Sequence, residues 1–151
     1  MTLAAESMTR KVFVVPPDFP LSAAWGLMSR ERFRHLPVVS GRALVGILSD
    51  RDILVRATLE GGTISVPDTP AAEAATPWPF VCEPDTDVRD LVRLMIEKKI
   101  DAVPVMDGAN QLAGLVTSTD LLLLLLNSGE EAKIPLPFVF DLELRSTADA
   151  S

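Results

Sequence analysis

Gly46-Ile47-Leu48-Ser49-Asp50-Arg51-Asp52 and Gly114-Leu115-Val116-Thr117-Ser118-Thr119-Asp120 carry one pattern: glycine, two apolar residues, a hydroxyl, two variable residues, aspartate. The likeness spreads outward in both directions. A shift of 67 positions pairs Thr9 with Thr76, Phe13 with Phe80, Val14 with Val81, Pro17-Asp18 with Pro84-Asp85, and Leu27-Met28 with Leu94-Met95. Pro37, Val38 and Gly41 likewise meet Pro104, Val105 and Gly108, and one added residue near Ala109 then changes the shift to 68. Beyond it Leu44, Gly46, Asp52 and Leu54 fall on Leu112, Gly114, Asp120 and Leu122. So long a shared register marks an internal repeat, two copies of one supersecondary unit.

Each copy reads the same way locally. A short β-rich run, Val12 to Val15 or Phe80 to Cys82, ends at Pro17-Asp18 or Pro84-Asp85, which can start a helix. Leu21, Ala24, Trp25 and Met28 then occupy i, i+3, i+4 and i+7, as do Val88, Leu91, Val92 and Met95, giving each helix one apolar stripe to bury. Packing is the ordinary role of these Met and Trp side chains. Two apolar runs follow, His35 to Val39 with Ala43 to Leu48, and Ala102 to Met106 with Gln111 to Val116, split by turns at Gly41 and Gly108 and expected to form hairpins. A second helix is expected from Asp50 through Ile53, Leu54 and Leu59, and from Ser118 through Leu121 to Leu126.

Gly61-Gly62 and the prolines at 67, 70, 77 and 79 break regular structure between the copies. The expected division is a first repeat over 1–60, a linker over 61–73, a second repeat over 74–127 and a partly disordered C-terminal extension over 128–151. Within that extension Pro135 to Leu144 alternates apolar and polar residues, the pattern of an edge strand or a docking segment.

Composition narrows the function classes. A hydrophobic content of 48% in 151 residues supplies a real core. The 14 basic and 21 acidic residues leave a net charge of −7, which opposes the counterion release that drives nucleic-acid binding, and an aromatic content of 5% leaves little for base stacking. The longest apolar run, Leu121 to Leu126, falls far short of the roughly 20 residues of a membrane span. Cys82 is the single cysteine and no signal-peptide pattern opens the chain, so the cytoplasm is the expected location. An enzyme needs a nucleophile, an acid–base pair or a metal cluster. One His, one Cys and no G-x-x-x-x-G-K loop specify no reaction, and the expectation is that the chain is not an enzyme.

An ionised carboxylate can accept two hydrogen bonds from a vicinal diol, and a helix N-terminus beside it favours a phosphate. The same Ser or Thr three residues before Asp is also a capping-box arrangement that satisfies free helix amides, and the two roles are compatible. With the Leu36-Pro37-Val38-Val39 and Val103-Pro104-Val105-Met106 strands, the twice-written motif resembles the cystathionine-beta-synthase (CBS) type domains over roughly residues 7 to 126. The resemblance implies an α+β, sandwich-like fold of two tandem CBS repeats, each strand-helix-strand-strand-helix, packed with pseudo-twofold symmetry. It implies clefts for adenosine-containing ligands, with Asp52 and Asp120 on the ribose hydroxyls and Ser49 and Thr117 beside them. The expected ligand-binding set is Arg34, His35, Leu36, Pro37, Ser49, Arg51, Asp52, Val103, Pro104, Thr117, Thr119 and Asp120.

The copies differ where a phosphate needs cations: Arg34, His35 and Arg51 align with Asp101, Ala102 and Thr119. Unequal sites are expected, a phosphorylated ligand preferring the first set. The plain alternatives are a solvated face for the two arginines and a partly buried histidine. No cofactor is required by this reading; AMP, ADP, ATP or S-adenosylmethionine is the expected regulatory ligand, with a conformational change passed to an unidentified regulated protein. The six consecutive leucines are apolar all round and need partners on more than one face, which together with the resemblance implies a homodimer. The rival reading is a ligand-free interaction or dimerisation module.

Overall fold

The computed structural model describes residues 1–127, so the expectations for 128–151 lie outside the described residues. The chain is α+β, as expected. The first half contains helix α2 (Leu21–Glu31), a hairpin of β1 (His35–Ser40) and β2 (Ala43–Ser49), and α3 (Asp50–Leu54). The second half repeats it with α5 (Val88–Lys98), β6 (Ala102–Met106), β7 (Leu112–Thr117) and α6 (Ser118–Leu126). Even irregularities repeat: each hairpin shifts register at matching places, between Val38 and Val39 and between Val105 and Met106. The two long helices end alike on a left-handed residue, Arg32 or Lys99, whose N–H donates to the carbonyl of Met28 or Met95.

The repeat differs from its sequence reading in three places. Val12 to Val15 and Phe80 to Cys82, read as strands, reduce to single parallel bridges, Val15 with Val38 and Cys82 with Val105. Helix α3 stops at Leu54 in a tightened turn, and Leu59 lies instead in β3 (Thr58–Glu60), paired with β4 (Thr63–Ser65). Gly61-Gly62, read as a break, is the turn of that hairpin, with φ of 57° and 81°, the positive angles such a turn demands. In the second repeat's hairpin the left-handed residue is Asn110 (φ 58°) rather than Gly108, and Asp107 Oδ1 accepts the N–H groups of Ala109 and Gln111.

Each half is completed by chain from before the other. Helix α1 (Ala4–Ser7) packs Ala4 into the second core with Leu91, Met95, Val103, Val105 and Val116. Helix α4 (Ala71–Ala74) packs Ala71 and Ala74 into the first core with Leu21, Met28, Leu36, Val38, Leu48 and Ile53. The backbone bonds of the exchange are reciprocal. Leu21 N–H donates to Thr69 O and Ala71 N–H to Phe19 O, while Val88 N–H donates to Thr2 O and Ala4 N–H to Thr86 O. The crossing segments then pair with the inner strands, β5 (Thr76–Pro77) against Ile47 and Gly46 of β2, and Thr9 against Leu115 of β7. No helix among the described residues is long and apolar enough to cross a membrane.

This crossing explains the motif's glycines. A Cβ on Gly46 would stand 2.7 Å from the Thr76 carbonyl oxygen, and one on Gly114 would stand 2.8 Å from that of Thr9, both backbone atoms that cannot rotate away. Gly46→Ala and Gly114→Ala are each expected to lower stability by about 1–3 kcal/mol, the usual range for forced overpacking. Gly26→Ala, in helix α2 with nothing within 4 Å of the new methyl, should instead raise it by about 0.5–1 kcal/mol. Urea unfolding midpoints of the three variants test the pair of signs.

Candidate functional site

The hydroxyl and aspartate of each motif sit where a strand becomes a helix. Ser49 caps α3, its Oγ accepting the Asp52 N–H at 3.1 Å while its own N–H donates to Asp52 Oδ2 at 2.8 Å. Thr117 caps α6 in the same way, with Asp120 N–H to Thr117 Oγ1 at 3.3 Å and Thr117 N–H to Asp120 Oδ2 at 2.8 Å. The capping role is therefore present in both copies, and the question is what capacity remains for a ligand.

It remains unequally. Asp120 Oδ2 also accepts the Thr117 hydroxyl at 3.0 Å, and its Oδ1 accepts the Thr9 hydroxyl at 3.0 Å, so both carboxylate oxygens are engaged within the chain. Beside Asp52, the matching Thr76 makes no such bond, and Asp52 Oδ1 has no hydrogen-bond partner among the described residues. Phe13 and Phe33 stack on each other at 5.3 Å, where the other half has Phe80 and Ile100.

Asp52 opens into a cleft of about 280 Å³, near the lower end of the roughly 300–1,000 Å³ usual for small-ligand sites. The first half contributes Arg34, His35, Ile47, Ser49, Asp50, Arg51 and Asp52, and the second contributes Lys99, Ile100, Asp101 and Ala102. Thr76, Trp78, Pro79 and Phe80 close it from the segment joining them. The five polar residues expected from the first motif thus meet in one place. Thr117, Thr119 and Asp120 line neither this cleft nor a second depression of about 260 Å³ bordered by Arg10, Arg42 and Gly114. Leu36, Pro37, Val103 and Pro104, expected at the ligand, have fully buried side chains and support the cleft from inside the cores. The Pro37 and Pro104 carbonyls are engaged as well, accepting the N–H groups of Val15 and Cys82.

The charges also sort differently from their sequence reading. Burial outweighs the neighbouring carboxylates, Asp101 foremost, and holds His35 below its ordinary pKa of 6.5. It is therefore neutral at pH 7 and offers one donor and one acceptor, in keeping with the partly buried histidine of the alternative reading rather than with a cation for phosphate. Arg34 Nε pairs with Asp50 Oδ2 at 3.2 Å in a solvent-exposed bridge. The Arg51 and Lys99 side chains have no carboxylate partner among the described residues and stand on opposite halves of the cleft. Lys99, Trp78 and Phe80 escaped sequence reasoning because they reach the motif only through the long-range meeting of the halves. The left-handed end of α5 that presents Lys99 carries no glycine to announce it.

A family model described as CBS domain matches residues 4–57 and 77–127. The CBS domain-containing protein YhcV of Bacillus subtilis is 31% identical over 121 residues, covering 80% of this chain and 84% of that protein. The inosine-5'-monophosphate dehydrogenase of Korarchaeum cryptofilum is 33% identical over 118 residues, which cover 78% of this chain and 23% of the enzyme. Among solved structures, CBSX2 in complex with AMP, a CBS-pair protein from Arabidopsis thaliana, superposes with a TM-score of 0.72 at 26% identity, covering 83% of this chain and 97% of that one. The twofold motif, the exchanged cores and the two matched segments together place the chain in the CBS domain family, as a tandem CBS pair.

Proposed function

We propose that the chain is a regulatory ligand-sensing module that holds an adenosine-containing ligand, an adenine nucleotide before S-adenosylmethionine, in the cleft at Asp52. The observation that carries this reading is the difference between the two carboxylates: both oxygens of Asp120 are engaged by Thr9 and Thr117, whereas Asp52 lines the cleft with one oxygen, and Arg51 and Lys99 with side chains, that have no partner among the described residues. In this reading Asp52 Oδ1 takes the ribose hydroxyls, and Arg51 and Lys99 take the phosphate. The AMP held by CBSX2 supports the ligand class.

Signalling follows from where the cations stand. A phosphate gripped by Arg51 of one half and Lys99 of the other favours the arrangement of halves that brings both within reach, and it shifts the population by that differential affinity. A regulated partner protein reads the arrangement. The chain is in this view a sensor rather than an enzyme, acting in the cytoplasm.

The assembly unit is a homodimer. Helices α5 and α6 pack side by side, and each leaves an i, i+4 apolar pair in solvent: Val92 and Ile96 on α5, Leu122 and Leu126 on α6. Ile96 is 73% and Leu122 65% exposed, an arrangement that a second copy would cover.

Calorimetric titration of nucleotide-stripped protein with AMP, with GMP as control, tests the site. Asp52→Asn, which keeps hydrogen-bonding capacity for the cap, is expected to weaken AMP binding tenfold or more, in line with about 1.5–3 kcal/mol for a hydrogen bond to a charged group. Asp120→Asn should leave affinity nearly unchanged. Equal losses would remove the case for unequal sites, and a folded wild type that binds neither nucleotide would return the chain to a pure interaction module. Light scattering should give a dimer mass for the wild type and a monomer mass for Ile96→Glu combined with Leu122→Glu; a monomeric wild type contradicts the assembly.

A further inference from the structure

Trp78 is the residue of the cleft that packing does not explain. Its backbone stands at φ 51°, in the left-handed region that bulky side chains enter only at a cost. Pro79 follows it, and a residue before proline is driven toward extended backbone. The conformation is thus disfavoured twice. The fold does not demand it, because Lys11, the matching residue of the other half, is not left-handed. Burial does not compensate it either, since Trp78 is 93% exposed. Its stem is anchored on the N-terminal side, where Pro77 is paired with Gly46 of β2.

Strain sustained without packing return points to a binding role, and position defines which. Trp78 borders the cleft together with Phe80 and Ile47 and with Asp52 and Arg51 of the motif. A ligand with a polar, charged end on the motif has its flat apolar end left for this aromatic rim. We propose that Trp78 is the stacking face for the purine ring of the ligand, a residue that sets base affinity and is held ready by its strained stem. This rests on the nucleotide reading of the cleft.

Two substitutions separate stacking from structure. Asparagine accepts left-handed backbone readily but offers no ring, while phenylalanine keeps a ring and keeps the strain. Trp78→Asn is therefore expected to leave the thermal midpoint unchanged or raised and to weaken AMP binding about tenfold, the scale of one base–aromatic stack. Trp78→Phe should retain most of the affinity with no gain in midpoint. In a Trp25→Phe background Trp78 is the only indole, and AMP should quench its emission. If the wild type binds AMP and Trp78→Asn binds it equally well, or if affinity merely follows thermal stability across the variants, the stacking role is overturned while the nucleotide reading stands. If Trp78→Asn changes only the oligomeric mass, Trp78 is an assembly residue and the proposal fails. A wild type that binds no AMP overturns both.

Discussion

Two backbone carbonyls passing over two glycines fix the rest of this molecule. Thr76 O crosses Gly46 and Thr9 O crosses Gly114, each at a distance no side chain on the glycine would permit. Because those crossings exist, the segment before each repeat can lie against the inner strand of the opposite one, and Ala4 and Ala71 can reach cores that are otherwise unfinished. The cleft is a by-product of the same geometry. Its walls are a motif from one half, a helix end from the other and the crossing segment between them.

In the proposed reading the hydroxyl–aspartate pair serves two purposes with one carboxylate. Oδ2 of Asp52 is spent on the helix entrance, where it accepts the Ser49 N–H, and this fixes where Oδ1 stands. A ligand-binding oxygen placed by a structural hydrogen bond loses little freedom on binding, which is preorganisation in its simplest form. The second motif shows another outcome of the same chemistry: Thr9 reaches Asp120, and both carboxylate oxygens accept hydrogen bonds from within the chain. Two copies of one motif thus differ in how fully their carboxylates are engaged within the chain.

Much of this was legible in the chain because the repeat preserved register. The apolar stripe at Leu21, Ala24 and Met28 and its counterpart at Val88, Leu91 and Met95 are buried as their spacing requires. The capping boxes stand where the Ser–Asp and Thr–Asp spacing put them, and the polar residues expected of the first motif share one cleft. What periodicity could not reveal was partnership at long range. Val12 to Val15 has strand composition, but only Val15 finds a ladder partner; Leu59 has a helical spacing, but the Gly61-Gly62 turn draws it into a hairpin. Nor does any local pattern tell that Thr9 belongs to Asp120. Of the two readings of His35, a phosphate-facing group and a partly buried histidine, the burial that lowers its pKa is a property of the assembled fold and not of the local sequence.

The exchanged segments also bear on synthesis. Translation releases the chain from its N-terminus, yet the first core needs Ala71 and Ala74, and the long-range hydrogen-bond partners of residues 2–9 lie at positions 84–88, 115 and 120. On the ribosome the first repeat therefore stays open until the segment after it has emerged. The N-terminal segment waits longer, its hydrogen-bonding groups exposed to water until nearly the whole described chain is out. Domains built from independent units can fold one after another as they appear. Here the first half closes only with the segment that leads into the second, and a nascent chain arrested before that segment would hold an incomplete core and a loose end with no partner yet made.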